Sequence, residues 1–510
     1  MKKYFALFLV GIFSFFTVVS AQTIKQSEVI IPKINKWAFI PRMDQCIEGM
    51  GGEHLVYNTN YNYSDTKKST TDCLFSLAKD DFSCHKTLLT HGPDYVFIHA
   101  FETSDGAVAI YRYMDKDSKS YRICTNAISK DRDTDTDNWK PEVILNIPYE
   151  KKDNLAIAYA ESPDKKQRVM AFFQSQRKGS AKGNLVMAFD EDGKIMWENN
   201  IDINNFNQEY FQILDVAVNN EGTAFVGIYA YDMPNNNSRS NNAVVMFEVS
   251  DNEVNNIFQE IDCNISNGKM TVGRTGNVYL GGYYYTDLKQ NENGSYIYTF
   301  NPSSSSFQAF AQQDFPEDYY EKATGGLLTG VFANQKYSAV PKALYEFDNG
   351  SAVLLGELRY IVAVTSQGMT SYNYLTKNVL FSKTDDRGRF EKFDFFARAA
   401  ISGGYILGDC FDDFHISYNP FFKNNRIYIT YLDNIENYID QKGTAYRLFK
   451  TGCTTLMTID EKGEGNIQRL MSFKEDKSLI PQTLFVDNDG LYVLTRGKKS
   501  MSIAKMAIEF

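Results

Sequence analysis

Ile213-Leu214-Asp215-Val216-Ala217-Val218-Asn219-Asn220-Glu221-Gly222-Thr223-Ala224-Phe225-Val226-Gly227-Ile228-Tyr229-Ala230-Tyr231 is the stretch that decides the fold class. Two apolar, aromatic-rich runs, Ile213–Val218 and Thr223–Tyr231, flank Asn219-Asn220-Glu221-Gly222. Its glycine supplies the positive φ that a tight hairpin requires. Beyond an Asn/Ser-rich tip (Asn235–Asn242), read as a mobile loop without a fold of its own, Ala243–Val249 and Asn256–Ile261 make a second hairpin. The unit is therefore four strands in series. The same unit is legible in Leu155–Asn199, with strands at Leu155–Tyr159, Arg168–Gln174, Asn184–Phe189 and Lys194–Asn199. It recurs over Lys269–Gln312 and Ala343–Phe395, and over Phe414–Phe473, where Phe414–Tyr418 is taken as the first strand. Two looser copies occupy Lys36–Leu89 and Tyr95–Ile147.

Four-stranded sheets repeated in series bury both faces against their neighbours when arranged radially, so the expected fold is all-β, a β-propeller of four-stranded blades. The last residues supply three strands only, Thr483–Val486, Leu491–Thr495 and Ser502–Ile508, and Lys25–Ile31 is the expected fourth, an N-terminal strand closing the last blade. Counting that shared blade gives eight, with seven the next reading and two stacked β-sandwiches the competing architecture. Residues 316–336 lack strand alternation and read as an insertion on one rim.

Lys2 and Lys3 precede an apolar run, Phe5–Val19, and the small residues Ser20 and Ala21, the pattern of a signal peptide over residues 1–21. The expected product is an exported 22–510 propeller domain with no transmembrane helix, periplasmic or at the cell surface. Net charge is −10, and losing Lys2 and Lys3 takes it to −12. An acidic surface repels phosphate backbones, which argues against nucleic acid as a partner. Export permits disulfides among the seven cysteines. Cys73 and Cys84 flank Ala78-Lys79, and a hairpin turning there would set them opposite each other.

The segment Leu185–Trp197, an apolar run followed by Asp190-Glu191-Asp192-Gly193 and then Trp, resembles the outer hairpin of quinoprotein-like blades. Asp460-Glu461-Lys462-Gly463 and Thr384-Asp385-Asp386-Arg387-Gly388 echo its turn, and Ala352–Glu357 with Asn378–Gly388 resembles blades of secreted β-propeller proteins of Bacteroidota. The resemblance implies the fold and an envelope location. It implies no catalytic residues, and the ligands of a quinone cofactor are not matched, so no cofactor is required.

Local chemistry is sparse. Asp131, Asp133, Asp135 and Asp137 alternate in one loop, with Glu142 at the twelfth position, a spacing that suits structural calcium. Thr136 replaces the expected Gly, and Pro141 precedes the Glu, so a solvated acidic loop is the simpler reading. Thr384-x-Asp386-x-Gly388 matches the start of a sialidase repeat turn but lacks the Trp, and is read as an ordinary hairpin turn. Tyr283, Tyr284 and Tyr285 could stack on a ligand but are read as strand residues, and His91 and His99 are taken as structural. These features favour a binding or scaffold propeller whose ligand is an envelope protein or a glycan. The alternative is a glycan-active hydrolase with paired carboxylates at the axis. A converging acidic pair with a deep polar pocket at the axis favours the enzyme, and a shallow aromatic rim with no such pair favours binding.

Overall fold

The computed structural model describes residues 23–29, 42–48, 53–64, 67–78, 84–129, 139–149, 154–175, 181–235, 238–286, 292–317, 319, 338–366, 369–405, 418–434, 452–472, 479–486, 490–496 and 501–506, with gaps at 93 and 204; side chains are described chiefly between 89 and 468. Strand β1 spans Thr23–Val29. The first blade is Arg42–Glu48 (β2), Glu53–Ser64 (β3), Lys67–Ala78 (β4) and Cys84–His91 (β5). The second is Tyr95–Thr103 (β6), Gly106–Asp115 (β7), Ser120–Ser129 (β8) and Glu142–Pro148 (β9). Asn154–Glu161 (β10), Arg168–Ser175 (β11), Ala181–Phe189 (β12) and Ile195–Asn200 (β13) form the third. The fourth takes Tyr210–Val218 (β14), Ala224–Asn235 (β15), Ser238–Val249 (β16) and Val254–Glu260 (β17). The fifth takes Asn264–Val272 (β18), Val278–Tyr285 (β19), Gly294–Asn301 (β20) and Ser306–Asp314 (β21). Ser338–Glu346 (β22), Ala352–Ser366 (β23), Met369–Thr384 (β24) and Phe390–Tyr405 (β25) build the sixth. Asn419–Lys423 (β26), Arg426–Asn434 (β27), Gly452–Ile459 (β28) and Gly465–Ser472 (β29) build the seventh. Leu479–Val486 (β30), Leu491–Arg496 (β31) and Met501–Met506 (β32) complete the series.

Every blade is a four-stranded antiparallel sheet in simple sequence order, and the eighth has the order β1-β32-β31-β30. Strand β1 therefore forms the outermost strand of the last blade, with Gln26 opposite Ala504 and Glu28 opposite Ser502. First strands contact one another from blade to blade (β10 with β14, β14 with β18, β18 with β22, β22 with β26, β26 with β30), and β2 touches both β6 and β30. Blades two and three share one core cluster. The contacts close on themselves, which makes the chain a β-propeller with its last blade completed by the N-terminal strand.

Hydrophobic cores lie between the blades, and the strands of each blade serve two of them. On β15, Ala224, Val226, Ile228 and Ala230 pack toward blade three, while Phe225 and Tyr229 pack toward blade five. On β19, Leu280 and Tyr284 face blade four, and Tyr279 and Tyr283 face blade six. Side chains alternate across a strand, so a sheet covered on both faces needs a continuous apolar run. That requirement explains the unbroken Ala-Phe-Val-Gly-Ile-Tyr-Ala-Tyr sequence of Ala224–Tyr231.

Outer hairpins turn through one recurring device. In Asp190-Glu191-Asp192-Gly193 the Asp190 carboxylate accepts the amides of Asp192 and Lys194, both at 2.9 Å. Asp385 accepts Arg387 N at 3.0 Å and Arg389 N at 2.8 Å, and Asp460 accepts Lys462 N at 3.0 Å and Glu464 N at 2.9 Å. The sialidase-like fragment at Thr384–Gly388 is thus a hairpin turn. Gly463 has φ +75°, and a Cβ there would lie 2.9 Å from the Phe381 ring of the preceding blade, so both backbone and neighbour demand glycine.

The structure revises three readings. Blade seven begins at β26, after Tyr418, because Asn424 and Asn425 both take left-handed φ (48° and 58°) and turn the hairpin between Lys423 and Arg426. Asn235 and residues 238–242 extend the β15–β16 hairpin, with Asp232 opposite Ser240 and Asn235 opposite Ser238. Arg239 holds it there, lying 4.3 Å over the Tyr231 ring and donating to Ile265 O at 2.8 Å. The β4–β5 register sets Cys84 opposite Leu77 and Cys73 opposite Leu88. The two cysteines thus do not face each other, and a four-residue offset, on the order of 13 Å along a strand, exceeds disulfide reach. Of the rim insertion, residues 316, 317 and 319 are described, and Tyr319 is buried against Phe315 and Phe393.

Candidate functional site

A cleft of about 590 Å³ opens on the rim of blade four, on the side of the β15–β16 tip. Three stretches distant in sequence wall it: residues 205–208 of the β13–β14 link, Asn241 and Asn242 of β16, and the segment from Phe258 on β17 to Asp262. The link is fixed from both sides. Phe206 packs edge-on against Phe247 in the blade core (6.0 Å, 87°), and Glu209 N donates to Asp232 Oδ1 at 2.9 Å. Phe258, 38% exposed, stacks against Phe206 with ring centroids 5.7 Å apart and planes 15° from parallel.

The polar wall is mostly carboxamide. Gln208 Nε2 donates to Asn241 O at 3.1 Å, and Asn241 Nδ2 donates to Asp232 Oδ2 at 2.5 Å. Tyr229 donates its hydroxyl to Asn242 Oδ1 at 2.6 Å, and burial pushes that phenol well above its ordinary pKa, so it stays a donor. Gln208 Oε1 is buried without a hydrogen-bond partner. Glu260 and Asp262 border the cleft, and no Lys, Arg or His is among the described residues that line it.

Two polar clusters lie elsewhere in the propeller. Glu357, fully buried on β23, pairs with Arg359 Nη2 at 3.1 Å and Lys342 Nζ at 3.9 Å. That carboxylate is occupied by two cations inside packed structure and is closed to a substrate. His99 on β6 lies with its ring centroid 3.5 Å from that of Tyr159 on β10. Burial, reinforced by Arg168, depresses its pKa to about 3, so the imidazole is neutral. Tyr159 donates to Glu161 Oε1 at 2.8 Å, and Arg168 approaches the same oxygen at 3.4 Å.

The candidate residues read from the sequence fall elsewhere. Asp131, Asp133, Asp135 and Asp137 lie outside the described residues, and Glu142 is exposed at the start of β9 opposite Thr125. Among the described residues, no group of three or more His, Cys, Asp or Glu is set to hold a metal ion. Tyr283 and Tyr284 are core residues, and His91 is buried against Trp139 (4.7 Å). Sequence reasoning missed the cleft itself. Its only local signal is the amide-rich link Asn204-Asn205-Phe206-Asn207-Gln208 beside an aromatic.

No protein-family profile matches the chain, and no curated protein matches it. Among solved structures it is similar to the β-propeller domain of the Trilobed protease from Pyrococcus furiosus (10% identity over 86% of this chain and 98% of that one, TM-score 0.38). It is similar also to a protein of unknown function from Dyadobacter fermentans (10%, 71% and 96%, TM-score 0.33). A third is an α-L-arabinofuranosidase of Fusarium graminearum solved with arabinobiose (9%, 70% and 92%, TM-score 0.31). Likenesses at this level assign no activity, ligand or partner to this chain.

Proposed function

We propose that the chain is an exported binding propeller of the cell envelope, cleaved after Ala21, that holds a protein or glycan ligand on its rim. The observation that carries this reading is the blade-four cleft, where a stacked Phe206–Phe258 pair adjoins a wall of carboxamides. It lies on the rim, with Phe258 on the outermost strand of the blade, and joins an aromatic face to polar side chains. Among the described residues no helix is long and apolar enough to cross a membrane. Affinity capture of the tagged, full chain from solubilised envelope tests the reading. A stoichiometric ligand, lost when Phe258 is replaced by Ala, supports it, and a chain that elutes alone and binds no envelope component contradicts it.

One observation favours a second reading, that of a glycan hydrolase. Glu260 and Asp262 border the same cleft, and a pair of carboxyl groups is what glycosidic cleavage requires. Incubation with neutral oligosaccharides separates the two readings. Product release abolished by Glu260→Gln or Asp262→Asn supports the hydrolase, and intact oligosaccharide supports binding alone.

A further inference from the structure

We propose that the blade-four cleft takes an uncharged glycan, with a sugar ring laid on Phe258 and its hydroxyls meeting the exposed carboxamides of Asn205, Asn207 and Asn241. This rests on the binding reading above and names its ligand class. The polar half of the recognition comes from the link. Gln208 Nε2 donates to Asn241 O and ties the link to β16, so the exposed Asn205, Asn207 and Asn241 side chains stand along the cleft wall.

The aromatic shelf supplies the second half of the recognition. Phe258 is held on one face by Phe206, itself anchored edge-on to Phe247, so the ring is presented rigidly on the outermost strand. The face of an aromatic ring is electronegative and attracts the weakly positive C–H face of a pyranose or furanose. The carboxamides of Asn205, Asn207, Gln208, Asn241 and Asn242 offer donors and acceptors side by side, matching hydroxyl groups that are both. Charge then restricts the class. With Glu260 and Asp262 at the edge and no described cation in the lining, uronates, sialates and phosphates are repelled. The cleft's volume falls within the span of small-molecule sites.

The test is a glycan array probed with the full chain, carrying neutral hexose and N-acetylhexosamine oligosaccharides beside uronate- and sialate-bearing ones. Retention of neutral members only is expected, with at least a tenfold loss for Phe258→Ala and recovery in Phe258→Trp. Asn207→Trp, at an exposed lining residue, blocks the cleft without entering the core and should abolish retention. Retention of acidic members, no retention at all, or neutral binding unaltered by Phe258→Ala and Asn207→Trp overturns the proposal. If envelope capture still yields a stoichiometric partner while no glycan is retained, the glycan assignment fails and the binding reading survives. If neither yields a ligand, both fail.

Discussion

The Tyr279 hydroxyl on blade five donates to Glu346 Oε1 on blade six at 2.5 Å. The same carboxylate accepts Thr275 Oγ1 at 2.7 Å and Thr275 N at 3.0 Å. Glu346 is 4% exposed and gathers three donors of the neighbouring blade, the buried Tyr279 hydroxyl and two from the exposed Thr275. Removing it strands the buried phenol, whereas removing the phenol leaves the carboxylate two partners. Glu346→Ala should therefore cost about 2–3 kcal/mol and Tyr279→Phe about 1 kcal/mol in urea unfolding. Equal losses would show that the carboxylate does not organise the interface.

Gly356 shows the same dependence of one blade on the next. A Cβ at this position would lie 2.0 Å from the Tyr283 hydroxyl, which blade five inserts against β23. Gly356→Ala should destabilise by about 1–3 kcal/mol through overpacking. Combination with Tyr283→Phe should recover part of that loss. A neutral Gly356→Ala would place the ring elsewhere.

His99 gives the fold an acid dependence whose sign follows from its neutral state. Its folded pKa, about 3, lies below the ordinary 6.5, so the unfolded chain takes up the proton first. Stability from this group is complete above pH 6.5 and lost as pH falls toward 3, by up to about 1.4 kcal/mol per pH unit. His99→Phe, which keeps a ring against Tyr159, should flatten the melting-temperature profile between pH 6 and pH 3. An unchanged slope would mean that His99 is not the group responsible.

Ring closure predicts the behaviour of the N-terminal strand. Since β1 pairs with β32 from Val29 opposite Met501 to Thr23 opposite Met506, its hydrogen-bonded amides should exchange as slowly as those of β32. Deleting residues 23–29 should lower the melting temperature and speed exchange in β31 and β32. Amides in β1 that exchange at unfolded-chain rates would break the closure argument.

Much of this architecture was legible because propeller hairpins advertise their turns. Asp190, Asp385 and Asp460 each accept two turn amides, and the glycine three residues on takes φ of +70° to +80°. Both needs are written into the sequence as Asp-x-x-Gly. The turn at Asn424-Asn425 uses asparagine in place of glycine for the same conformation, and blade seven was misplaced by that substitution. The tip near Asn241 looks like a loop in composition, yet Arg239 donates to Ile265 O and Asp232 accepts Glu209 N, partners that no local window contains. Bulges in first strands were also invisible. Those at Phe97/His99, Ile213/Asp215 and Ile265/Asn267 shift the register by one residue at matching places in blades two, four and five. The cleft is illegible for the most physical of reasons: Gln208, Asn241 and Phe258 meet only once blade four has folded and the β13–β14 link has closed over it.

A crystal structure of the chain grown with a neutral oligosaccharide bears most directly on the central claim. The account predicts a sugar ring parallel to Phe258 and sugar hydroxyls within hydrogen-bond distance of the Asn207 or Asn241 carboxamide. A sugar seated instead at the propeller axis, or on another blade with Phe258 uncovered, would contradict it.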